Sequence, residues 1–234
     1  MIKKENFGTP EGRRLGGQRS LTTHRLKKTG FNTLRKVRFP RPSARLAELL
    51  GIFYGDGHVG VYQASVVTSS ETDREHAFYV KELIEKLFKV PVSLSFRRDK
   101  KACVILVSSK EVCRFLQMMG MPAGNKIVKG IRIPEWVQSD IRYSRFLLRG
   151  LIDTDGCVYE DRHTVKGNAY TSTCIAFTSA SSELIEFVYS AMKAEGYTPT
   201  RWGRNVRLRR QLDVQSYAKH IGFSNPKHAM KIRV

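Results

Sequence analysis

The strongest constraint on this chain is that it repeats itself. Residues 46–60 read LAELLGIFYGDGHVG and residues 147–159 read LLRGLIDTDGCVY. Each is an apolar run with a glycine inside it (Gly51, Gly150) that closes on Asp-Gly, and the two aspartates, Asp56 and Asp155, stand 99 positions apart. Duplication of this kind means two copies of one supersecondary unit, and an apolar run too short to leave the core must be buried against a partner.

The segments C-terminal to each run repeat as well. Val66–Ser70 and Ala176–Ala180 read as strands ending in Thr-Ser, followed by amphipathic helices over Glu75–Phe88 and Ser182–Glu195. Strands are then predicted at Val92–Phe96 and Cys103–Val107 in the first copy, and at Pro199–Trp202 and Val206–Leu208 in the second. Short helices, Val112–Gly120 and Val214–Gly222, close the copies. The fold class is therefore α+β, two αββαββα repeats related by pseudo-symmetry. Residues 44–135 form the first repeat and 136–234 the second, after a basic arm over 1–43. An extra loop is predicted around Arg162–Thr171. The stretch from Ile133 through Pro134, Glu135 and Trp136 to Ser144 is read as the joint.

The two Asp-Gly helices are apolar almost all round, through Leu46, Leu49, Leu50, Ile52 and Phe53 in one and Phe146, Leu147, Leu148, Leu151 and Ile152 in the other. A glycine inside a helix costs about 1 kcal/mol relative to alanine, so its recurrence suggests two backbones in close approach. Packed side by side about a two-fold, the helices bring Asp56 and Asp155 together at their C-terminal ends. There the helix dipole is already negative, and two carboxylates repel unless a cation sits between them. Hard oxygen ligands suit Mg²⁺ or Mn²⁺, which keep water and take further ligands from phosphate.

These residues resemble the signature of the LAGLIDADG homing endonuclease family, in its single-chain, two-motif form. Leu148-Arg149-Gly150-Leu151-Ile152-Asp153-Thr154-Asp155-Gly156 matches seven of nine motif positions, Arg149 and Thr154 being the exceptions. Leu49-Leu50-Gly51-Ile52-Phe53-Tyr54-Gly55-Asp56-Gly57 is looser, with Tyr54 where the family often has its first aspartate, a position that is generally structural. The resemblance implies a two-helix interface, curved antiparallel DNA-binding sheets, and hydrolysis of both strands of a long, non-palindromic duplex across the minor groove, leaving short 3′ overhangs. It implies Asp56 and Asp155 as catalytic metal ligands for Mg²⁺, with Mn²⁺ or Ca²⁺ able to substitute in binding, and a monomer, since one chain carries both motifs. It also places a basic residue near each centre: Lys126 and Lys227 are the candidates, with Lys129 and Lys231 as equally spaced rivals.

Charge points to the same partner. The 234 residues hold 41 Lys+Arg against 21 Asp+Glu, a net charge of +20. Residues 1–43 contribute 12 basic and 2 acidic residues, which is +10, half of that excess. A polyanion such as nucleic acid is the expected partner. The arm shows no sustained period, only weak signals for helical turns around Gly12–Ser20 and Thr22–Lys28, and its Lys27, Lys28, Arg35 and Lys36 are read as phosphate contacts. Strand alternation puts Arg207 and Arg209 on one face with Val206 and Leu208 on the other, and Arg97, Ser93 and Ser95 opposite Val92, Leu94 and Phe96. Arg97, Arg207 and Arg209 are candidate base contacts, flanked by Arg98, Lys100, Arg201, Arg204 and Arg210. Trp136 and Trp202 are read as packing anchors, and Cys103, Cys113, Cys157 and Cys174 as buried thiols. No apolar run approaches the ~18 residues of a membrane span and no secretory leader is seen, so an intracellular, cytoplasmic or organellar setting is expected. Two other readings share the scaffold: an intron maturase that binds its host intron RNA, and a regulator that binds DNA without cutting it.

Overall fold

A computed structural model describes residues 8–27, 37–165 and 167–232. The chain divides into two compact units, Met1–Lys36 and Val37–Val234. In the first, helix α1 (Pro10–Lys27) runs unbroken where the sequence predicted two separate turns. None of its residues is buried, so no apolar face drives it and periodicity could not announce it. Local terms account for it instead. The Thr9 hydroxyl accepts from the Gly12 amide at 3.1 Å, Glu11 lies in the first turn, and His24, Arg25 and Lys27 lie in the last, all with the sense that the helix dipole favours.

The second unit holds both repeats. The first runs α2 (Ala44–Asp56), β1 (Gly57–Val59), β2 (Gln63–Ser69), α3 (Arg74–Phe88), β3 (Ser93–Arg97), β4 (Ala102–Ser108) and α4 (Lys110–Met118). The one-turn helices α5 (Lys126–Lys129) and α6 (Glu135–Gln138) lead to the second. That copy runs α7 (Ile141–Asp155), β5 (Gly156–Val165), β6 (Asn168–Thr178), α8 (Ser182–Ala194), β7 (Thr200–Trp202), β8 (Asn205–Leu208) and α9 (Gln211–His220), and α10 (Pro226–Ala229) comes last. Each copy forms a four-stranded antiparallel sheet of identical order, β1-β2-β4-β3 and β5-β6-β8-β7. The α+β class and the αββαββα order are as the sequence implied.

Two local expectations are corrected. The extra loop at Arg162–Thr171 is instead the outer part of a continuous β5–β6 hairpin, paired from Gly156↔Phe177 out to Val165↔Asn168 and turned with Gly167 at φ +84°. Its β6 end is exposed, so no apolar alternation marks it as a strand. The joint is shorter than expected, because α7 already starts at Ile141 behind an Asp140 cap that accepts from the Arg142 amide at 2.9 Å. Phe96 faces the helix-covered side as alternation required, opposite buried Cys103, with its ring 6.1 Å from Phe78 and beneath the Arg74 guanidinium, though its place on edge strand β3 leaves it partly exposed.

The α2–α7 pair is the most extensive contact between elements. Leu46, Leu49, Leu50, Ile52, Phe53, Leu147, Leu148, Leu151 and Ile152 are all buried, with Phe146 half-buried at the edge. The glycines explain the closeness. A Cβ on Gly51 would collide with the Leu147 carbonyl oxygen and lie 3.1 Å from the Gly150 Cα, while one on Gly150 would strike the Glu48 carbonyl oxygen. Backbone packs on backbone. No described helix is long and apolar enough to cross a membrane. Gly51→Ala and Gly150→Ala should each cost about 3 kcal/mol, because rigid backbone has to move apart to admit the methyl. Urea unfolding checks this through a lower midpoint at unchanged slope.

Candidate active site

Both sequence-predicted acids are the last residues of their helices, Asp56 on α2 and Asp155 on α7. The glycine contact fixes the helices side by side, and Gly55 lets their ends approach. A Cβ there would run into the Thr154 hydroxyl and come within 3.6 Å of the Asp155 carboxyl carbon. The carboxylates are half-buried and sense each other. Burial first, then the Asp155 charge, pushes Asp56 up to about 6, and burial raises Asp155 as well.

Lys126 is delivered to this pair by α5. Its ammonium donates to the carbonyl oxygens of Gly55 and, at 3.1 Å, Gly57, and so caps the end of α2. It lies close enough to lower the pKa of both acids, while burial lowers its own. The rival Lys129 is exposed and turned onto the Ala123 carbonyl at 2.6 Å, and Lys231 is exposed. Lys227 is placed differently. It pairs with Asp73 at 2.7 Å, while its charge still reaches Asp56.

The motif position preceding each acid by two does structural work in both copies. Tyr54 donates to the Met119 carbonyl at 2.5 Å, tying α2 to the end of the first repeat. Asp153 accepts from the Ser224 amide at 2.8 Å, and its backbone carbonyl accepts from the Asn225 amide group at 3.2 Å, tying α7 to the end of the second. Around it lies a polar cluster that periodicity could not reveal. Buried Glu48 pairs with Arg149 and accepts from the Ser224 hydroxyl, both at 2.5 Å, and Asn225 donates to Asp73 at 2.9 Å. Burial lifts Asp153 to about 7.

The basic residues of the sheets divide. Arg207 projects from the outer face of β8 between buried Val206 and Leu208, as alternation required. Arg209 also projects outward but is paired with Asp161 of β5. Arg201 stands opposite Val206, on the helix-covered side, and pairs with Glu186 of α8. Arg204, in the β7–β8 turn, and Arg210 are exposed. Arg97 ends β3, with Arg98 and Lys100 exposed in the adjoining turn. Lys27 is exposed at the end of α1, while Lys28, Arg35 and Lys36 lie outside the described residues. Trp202 is corrected: it is no packing anchor but 83% exposed, opposite Asn205 on the Arg207 side of the sheet. Trp136 does pack, edge-on against Tyr143 at 5.0 Å. Cys157 is exposed, unlike the three buried thiols.

The donor set fits a hard divalent cation. Among the described residues no group of three His, Cys, Asp or Glu side chains could hold a metal, so an ion between Asp56 and Asp155 would complete its shell with water and phosphate oxygens. Both acids stand at a helix terminus where their charges conflict, and a cation removes that conflict.

The family model for the LAGLIDADG-like domain matches residues 143–222, a span that contains the Asp155 helix and the second sheet. Solved structures with the same fold include variants of the homing endonuclease I-DmoI (TM-score 0.51, 17% identity, 76% of this chain and 95% of that one). The I-SmaMI LAGLIDADG homing endonuclease bound to cleaved DNA gives 0.54 at 10% identity over 83% and 88%. Full-length DUF199/WhiA from Thermatoga maritima gives 0.52 at 15% over 80% and 59%. Residues 143–222 thus match a LAGLIDADG-like domain, and the chain has the fold of these homing endonuclease structures. Among sequence relatives, a replication factor C small subunit of Methanocaldococcus jannaschii is 29% identical over 199 residues, 80% of this chain and 10% of that protein. A tRNA-splicing ligase RtcB of Methanopyrus kandleri is 27% identical over 155 residues, 60% and 15% respectively. The chain therefore spans only a small part of the curated relatives it matches.

The raised Asp56 pKa has a measurable consequence. The unfolded carboxyl ionises near 3.8 and the folded one near 6, so ionisation imposes a stability penalty that is absent below pH 3.8 and grows as pH rises through 6. In a divalent-free buffer, Asp56→Asn should gain stability relative to the parent as pH rises from 4 to 7, reaching about 3 kcal/mol at pH 7. Urea unfolding of both proteins at pH 4, 5 and 7 measures the difference.

Proposed function

We propose that this chain is a site-specific double-strand DNA endonuclease, dependent on a divalent metal, that hydrolyses one phosphodiester in each strand across the minor groove and leaves short 3′ overhangs. The observation carrying this reading is the convergence of Asp56, Asp155 and Lys126 where two glycine-packed helices end. A regulator that only bound DNA would gain nothing from crowding two carboxylates beside phosphate. Mg²⁺ or Mn²⁺ held by Asp56 and Asp155 would supply Lewis acidity to the phosphate and to the attacking water. In the hydrolysis the water oxygen joins phosphorus and the bond to the leaving strand oxygen breaks, with the proton passing to that oxygen. Lys126 steadies the charge that develops on the phosphate, and Lys227 is its counterpart in the second copy.

The outer faces of the two sheets are the DNA-reading surfaces. Arg207 and Arg97 contact base edges, Arg98, Lys100, Arg204 and Arg210 contact phosphates, and exposed Trp202 adds a flat apolar surface to the Arg207 side. Arg201 and Arg209 reach DNA only by leaving Glu186 and Asp161. Because both acids belong to one chain, a monomer cuts both strands of a non-palindromic site. Related segments inside a replication factor and a tRNA-splicing ligase support a module that moves between unlike host genes. The maturase reading has no observation in its favour beyond the scaffold.

Cleavage and binding test this reading separately. Against a target selected from a random duplex library with Mg²⁺, Asp56→Asn and Asp155→Asn should lower double-strand cleavage by at least about 10³-fold while leaving binding in Ca²⁺ within about threefold. Cleavage by both variants at the parent rate would refute the metal assignment. Removing residues 1–36 should flatten the dependence of log affinity on log salt without altering the preferred sequence, because backbone contacts carry charge but not sequence. Binding titrations at salt concentrations from about 50 to about 300 mM, on the selected target and on a scrambled duplex, measure both.

A further inference from the structure

We propose that Asp73 makes the two cleavage centres unequal by holding Lys227 in a buried ion pair, so that the strand served by Lys227 is cut more slowly and a nicked duplex accumulates. The inference rests on the nuclease reading above. Its geometry is one-sided. Asp73 belongs to the first repeat and Lys227 to the end of the second, and they meet at 2.7 Å with the carboxylate only 6% exposed. Asp73 accepts two further hydrogen bonds, from the Thr68 hydroxyl at 2.7 Å and the Asn225 amide group at 2.9 Å.

Local structure shows that this carboxylate is diverted. Asp73 occupies the N-cap position of α3, where an aspartate ordinarily accepts from the first turn, yet it makes no such bond. Its counterpart in the second repeat, at the N-cap of α8, is Ser181, which is neutral and does cap its own helix through the Leu184 amide. The pseudo-symmetry is therefore broken at this charge. Lys126 rests on the neutral carbonyls of Gly55 and Gly57, with its charge directed to the acids. Lys227 is matched by a formal negative charge at contact distance, so the pair presents little net charge to a phosphate. Asp73 is thus a positioning residue, acting on the reaction through Lys227.

The test uses the full-length protein and its selected target, with each strand carrying a different label. The parent should cut one strand at least fivefold faster than the other. Asp73→Ser, which installs the Ser181 arrangement, should speed the slow strand several-fold and leave the fast strand unchanged. Adding Lys227→Met to Asp73→Ser should remove that gain. Asp73→Asn, of nearly the same shape, is run alongside, with melting temperatures recorded for both variants. Equal strand rates in the parent, or a uniform fall of both strands in the Asp73 variants, would each overturn the proposal. The absence of any cleavage by the parent would instead overturn the nuclease reading and this inference with it.

Discussion

The contact of Gly51 with Gly150, backbone against backbone, is the constraint on which the rest of the second unit depends. Side chains cannot substitute for it: a single methyl on either glycine meets a carbonyl oxygen of the other helix. Because the helices touch there, they run together to their C-terminal ends, and the last residue of each is an aspartate. Close packing is thus what places two like charges side by side, in a site where burial already opposes ionisation.

That conflict is local and is relieved locally. Lys126 supplies positive charge and caps α2, while the motif position two before each acid is given over to anchoring the chain. Tyr54 and Asp153 differ in every chemical respect but perform the same task, each bonding to backbone at the end of its own repeat. This explains why the first motif departs from the family pattern at Tyr54 without losing its acid. A hydroxyl that donates to Met119 and a carboxylate that accepts from Ser224 are two solutions to one docking problem.

Pseudo-symmetry organises the molecule and is abandoned where function or packing differs between the halves. The β5–β6 hairpin outgrows β1–β2, Arg209 and Arg201 are drawn into ion pairs, and Asp73 has a neutral counterpart in Ser181. The buried helix residues and the two glycines are held by packing. The sheet faces and hairpin tip are not, and there the copies differ most.

The sequence alone determined the repeat, the order of its elements, the pairing of the glycine helices and the meeting of Asp56 with Asp155, because each of these is written in apolar periodicity or in residues that only one packing can explain. It also separated Arg207 from Val206 and Leu208, since strand alternation is a property of neighbouring residues. Tertiary structure decided what periodicity does not encode. It extended a polar stretch into the β5–β6 hairpin, joined α1 into one helix without a buried face, and left Trp202 and Phe96 exposed on edge strands. It also brought Lys126, and not Lys129, beside the two acids, and paired Lys227 with Asp73, a residue 154 positions away in the chain. Ion pairs and hydrogen bonds between distant segments leave no periodic trace in either partner, so only the folded chain could reveal them.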